Sequence, residues 1–106
     1  MEYVSRYVTF PTKEEAEKVI DALLEAHLIA CANLSSEVTS YYRWEGKREQ
    51  AFEYGAIMKT TADKQRQAIA LITQMHSYEC PCVVVWPIID GQLHYLEWIK
   101  HETSLP

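Results

Sequence analysis

The chain has 106 residues, 48% of them hydrophobic and 24% charged, which describes one folded domain and excludes a disordered segment or a second module. Ten basic against fifteen acidic residues leave a net charge of -5, which argues against a non-specific grip on nucleic acid phosphates or an anionic membrane. No basic, apolar leader and no run long enough to span a membrane opens the sequence, and the three cysteines are an odd number, so a reduced, cytoplasmic protein is expected.

Tyr3 to Phe10 reads as a first strand ended by Pro11. Thr12 and Glu15 then form a capping box that opens an amphipathic helix with an apolar stripe of Ala16, Val19, Ile20, Leu23, Leu24 and Leu28. A long strand follows from Ala30 to Trp44, with an irregularity expected at Ser35-Ser36. Glu45-Gly46-Lys47 is the turn into a second long strand, Arg48 to Thr60, which completes a hairpin. Thr61 and Asp63 are placed to cap a second helix carrying Ala68, Ile69, Ile72 and Met75 and finishing near His76. The apolar run Cys82 to Trp86 predicts a strand buried on both faces, with Pro87 marking an edge or bulge. A last helix, from about Gly91 to His101, is capped by Asp90.

The order is therefore β-α-β-β-α-β plus a terminal helix, an α+β class with the split arrangement of a ferredoxin-like sandwich and helices on one face of an antiparallel sheet. Strands of about fifteen residues at ~3.3 Å each are roughly 50 Å long. A compact domain of this size has a radius of gyration of only about 13 Å, so the hairpin must overhang it. Its outer half carries Tyr41, Tyr42, Trp44, Phe52 and Tyr54, and the expected cover is another copy of the chain. A bulge that folds the ribbon back over its own sheet is the alternative.

Several blocks in order, Leu28 to Asn33, Ser40 to Lys47, Met58-Lys59-Thr60 and His76 to Pro81, resemble the signature segments of the CutA family of divalent-cation tolerance proteins. The resemblance covers nearly the whole chain. It implies a ferredoxin-like subunit in a tight homotrimer, close in architecture to PII signalling proteins, with a role in tolerance to copper and other divalent ions. Copper-linked members tend to have a cysteine near the position of Val8, a His-His pair where this chain has His76-Ser77, and many have a glutamate where it has Cys82.

Two sites are expected. His76, Cys80 and Cys82 offer an imidazole and two thiolates, a soft set suited to copper or zinc, although cysteines at this spacing also pack as small hydrophobes. Tyr42, Trp44, Glu53, Lys59, Tyr78 and Glu79 combine aromatic walls, carboxylates and a cation, the make-up of a cleft for a small anionic ligand or a partner protein between subunits. Aromatic anchoring of an interface and a Glu53–Lys59 ion pair are the structural alternatives. Catalysis is not expected, since no GxSxG, HExxH, phosphate loop or GxGxxG occurs. The loop after the first strand lacks both the arginine of an acylphosphatase and the CxxC of a copper metallochaperone. The strand from Arg48 lacks the aromatic, basic pattern of an RNA-recognition module.

Overall fold

The computed structural model describes residues 2–104. Strand β1 (Tyr3–Phe10) leads through helix α1 (Lys13–Glu25) to the hairpin of β2 (Cys31–Trp44) and β3 (Lys47–Thr61). Helix α2 (Gln65–Met75), strand β4 (Val83–Ile88) and helix α3 (Leu93–Ser104) complete the chain. The four strands form one antiparallel sheet in the order β2-β3-β1-β4.

Local chemistry sets the boundaries. Thr12 Oγ1 accepts the Glu15 N–H at 3.1 Å, the expected cap of α1. Glu15 does not reach back to complete the box. At the other end of α1, His27 adopts a left-handed φ of 58° and the Leu28 N–H donates to Leu23 O at 2.9 Å. The His27 N–H donates to Leu24 O, and this pair of bonds is a Schellman closure that turns Leu28 back into the core. At the hairpin tip Glu45 and Gly46 both have positive φ, 50° and 79°, as a two-residue type I′ turn requires. A short 3-10 turn over Ala62–Lys64 precedes α2, and Thr61 bonds Asp63 instead of capping the helix. Gln92 Oε1, rather than Asp90, accepts the Tyr95 N–H that opens α3.

The core lies between α1, α2 and one face of the sheet, where Val8, Phe10, Ala56 and Met58 meet Ala16, Val19, Leu23, Ala68 and Ile72. Full burial of Val19 or Leu23 contributes about 1.5–3 kcal/mol each. Leu24 and Ile69 of the predicted stripes are exposed. α3 packs on the opposite face, where Thr103 meets Thr61 and Tyr95 meets Cys31, so the helices are not all on one side as expected.

The prediction that the fourth strand is buried on both faces fails. β4 is an edge strand, and Val84 and Trp86 remain 43% and 51% exposed because neither α1 nor α2 covers that face. Tyr7 shares this open face and its ring lies across Gly55, where a Cβ would sit 2.6 Å from Tyr7 Oη. The bulge in β2 falls between Leu34 and Glu37, where expected, but it does not fold the ribbon back. The molecule extends to 44 Å along its long axis against 25 and 24 Å across, and Tyr41 and Phe52 stay about 60% exposed.

Among the described residues, one buried side chain has no hydrogen-bond partner. Arg6 alternates with Val4 and Val8 on the inner face, is fully buried, and none of its three guanidinium nitrogens meets an acceptor among the described residues. Burial alone pulls its guanidinium below the ordinary arginine range. An unpaired buried charge is costlier than an apolar side chain of the same length. Arg6→Met is therefore expected to raise stability by about 1–4 kcal/mol in urea unfolding at a fixed protein concentration. A loss of stability would show that the guanidinium has a partner.

Candidate functional site

The residues at the end of α2 build one wall of a cleft. His76 closes the helix, its N–H on Ile72 O at 2.9 Å, and its ring stacks on Phe10 at 4.9 Å between centroids. Thr9 O can only accept, so Nε2 carries the proton in their 2.7 Å bond and Nδ1 is left as the acceptor of the Tyr78 N–H at 3.1 Å. Glu15 Oε2 accepts the Ser77 N–H at 3.1 Å and lies 3.5 Å from His76 Nδ1. Both imidazole nitrogens are thus engaged within the chain, and metal ligation by His76 would require breaking one of these bonds.

The clasp continues to the sheet. The Tyr78 hydroxyl donates to Glu53 Oε2 at 2.7 Å, and burial together with this carboxylate pushes the phenol well above its usual range. Glu53 is only 8% exposed. The hairpin supplies the opposite wall. Because the bulge adds one residue to β2, the parity of the strand changes, and Val38, Ser40, Tyr42 and Trp44 share a face with Glu53, Tyr7 and Thr9. Two adjoining cavities result. One, of about 350 Å³, is lined by Glu53, Tyr42, Trp44, Tyr78 and both Cys80 and Cys82, and a second, of about 220 Å³, adds Glu79.

Five of the six residues read as a cleft are therefore brought together. Lys59 is not among them: it pairs with Cys31 across the sheet and donates to Asn33 Oδ1 at 2.9 Å. It lies six residues from Glu53 along β3, roughly 20 Å, which also removes the Glu53–Lys59 ion pair. The cationic end expected for an anionic ligand is absent among the lining residues. Tyr7, Thr9 and Ser40 line the larger cavity and were not singled out by sequence. Strand alternation carried through the bulge is the signal that finds them.

Cys80 and Cys82 are exposed thiols. No group of three or more His, Cys, Asp or Glu side chains among the described residues is arranged to hold a metal ion. Cys31 sits elsewhere, with Sγ 3.4 Å from Tyr95 Oη, and that bond followed by burial pushes the Tyr95 phenol up to about 12. His27 donates through Nδ1 to Glu102 O at 3.0 Å, an anchor for α3. None of the described helices is long and apolar enough to cross a membrane.

Comparison with known proteins bears directly on this arrangement. The CutA1 divalent ion tolerance protein family matches residues 4–102. The Divalent-cation tolerance protein CutA of Pyrococcus horikoshii is 43% identical over 98 residues, 92% of this chain and 95% of that one. Among solved structures, the divalent ion tolerance protein CutA1 of Ehrlichia chaffeensis superposes with a TM-score of 0.92 at 34% identity, over 97% of this chain and 96% of that one. The periplasmic divalent cation tolerance protein CutA of Archaeoglobus fulgidus gives 0.92 at 38% identity, over 95% and 98%. With the blocks read from the sequence, the fold and these relatives in agreement over nearly its full length, the chain belongs to the CutA family of divalent-cation tolerance proteins.

Proposed function

We propose that this chain works as a homotrimeric divalent-cation tolerance protein that binds copper or another divalent metal weakly and has no catalytic role. The family match over residues 4–102 is the observation that carries the reading. The sheet order β2-β3-β1-β4, with a helical crossover on each side of the hairpin, supports a ferredoxin-like subunit. Three unpaired thiols agree with a reducing, cytoplasmic setting.

The assembly is supported by what one subunit leaves open. Tyr7, Val84 and Trp86 form an apolar band on the part of the sheet face that α3 leaves open, β4 presents an unpaired edge, and Tyr41 and Phe52 stand out from the ribbon. A soluble chain at this net charge needs such a surface covered, and other copies of the same chain supply a matching one. For metal, Cys80 and Cys82 supply two exposed soft donors, and His76 joins them only at the cost of its bond to Thr9 or Tyr78. Two ready ligands instead of four account for weak rather than structural binding.

Light scattering is expected to give three times the 12.3 kDa protomer mass, and Trp86→Glu or Phe52→Glu to lower it; a wild-type mass of one protomer would refute the assembly. In titration calorimetry with zinc, the reduced, chelator-washed protein should take up metal, and Cys80→Ser with Cys82→Ser should weaken that uptake about tenfold or more. Unchanged uptake in the double variant, or none in the wild type, would remove the thiols from the metal site.

A further inference from the structure

Beside the two thiols, the cleft between the hairpin and the segment 76–82 holds aromatic rings and carboxylates that the proposed metal binding does not use. Tyr42, Trp44 and Tyr78 wall it with three aromatic rings, and its formal charges are the carboxylates of Glu53 and Glu79. No lysine, arginine or histidine lines either cavity; Lys47, the cross-strand partner of Trp44, lies at the hairpin tip outside both.

Glu53 decides what such a cleft can take. Its Oε2 accepts the Tyr78 hydroxyl, while Oε1 receives no hydrogen bond from any described residue, although the side chain is more than nine-tenths buried and lines the larger cavity. Oε1 is therefore the oxygen that meets solvent in the cavity, and a ligand that takes the place of that water must bring a donor, preferably a charged one. An anion would be repelled, and a neutral apolar ligand would leave Oε1 desolvated. A divalent ion held by Cys80 and Cys82 would not answer Glu53, since no three His, Cys, Asp or Glu side chains converge among the described residues to bring that carboxylate into its ligand set. An organic cation meets both demands, because its N–H groups can reach the carboxylate while its charge and alkyl part lie against aromatic faces.

We propose that this cleft binds a small organic cation, an alkylammonium or guanidinium group, with its N–H on Glu53 Oε1 and its body between Tyr42, Trp44 and Tyr78. The cation is either a free molecule or a basic side chain at another copy's hairpin tip, where Arg43, Lys47 and Arg48 cluster. The site needs no metal, so its failure would leave the tolerance reading untouched.

The test uses full-length, metal-free protein in its native assembly, with butylammonium and methylguanidinium as probes and butyrate as the control, read by calorimetry and tryptophan fluorescence. Binding of the two cations and not of butyrate is expected, weakened about tenfold or more in Glu53→Gln, which keeps an acceptor for Tyr78, and in Trp44→Leu. Binding by the wild type assigns the site to a free cation. Binding that appears only in an Arg43→Ala, Lys47→Ala, Arg48→Ala variant assigns it to another copy's tip. Silence in both proteins, or equal affinity in a folded Glu53→Gln variant, overturns the proposal.

Discussion

Strands β2 and β3, of 14 and 15 residues, run well past the two helices that cover their inner halves, and this mismatch of length governs most of what the molecule presents to its surroundings. On β3 the core takes Ala56 and Met58, while almost everything between Lys47 and Phe52 is exposed. A two-stranded ribbon in water is marginal on its own. This one carries large aromatic side chains on both faces, and in the proposed assembly other copies of the chain cover them. The band of Tyr7, Val84 and Trp86 and the free edge of β4 belong to the same problem, since α1 and α2 lie on the other face and α3 leaves Val84 and Trp86 exposed.

The bulge at Leu34/Glu37 shapes the cleft. It changes the parity of β2, so that Tyr42 and Trp44 come onto the same face as Glu53 and Tyr7 instead of the opposite one. The loop after α2 then meets them, held by His76 on Thr9 and by Tyr78 on Glu53. The imidazole in this clasp is a structural element: donating with one nitrogen and accepting with the other, it fixes the path of residues 76–78 much as a backbone pair would. The cleft is therefore a product of one inserted residue and one buried histidine.

Much of this was legible in the sequence because the signals were local. β-favouring residues and Pro11 gave the limits of β1, Thr12 the cap of α1, the Ser35-Ser36 pair the bulge of β2, and the family blocks the identity. The failures were tertiary. The run Cys82 to Trp86 reads as doubly buried by composition, yet in this edge strand Val83 and Val85 are only half-buried and Val84 and Trp86 are exposed. Lys59 and Glu53 are both charged residues of one strand face, but nothing local says that roughly 20 Å separates them from a shared ligand. Arg6 was visible in principle, since period-two alternation between Val4 and Val8 points it inward. Its missing partner could be known only from the packed interior.

The central claim is that the outer hairpin owes its order to neighbouring copies. Amide hydrogen exchange resolved along the chain tests it most directly, comparing residues 38–52 with the core strand around Val8 at high concentration and after dilution far enough to separate the subunits. Protection close to that of the core is expected in the assembled protein, with its selective loss on dilution. Protection of the hairpin that is independent of concentration, or absent throughout, would contradict it.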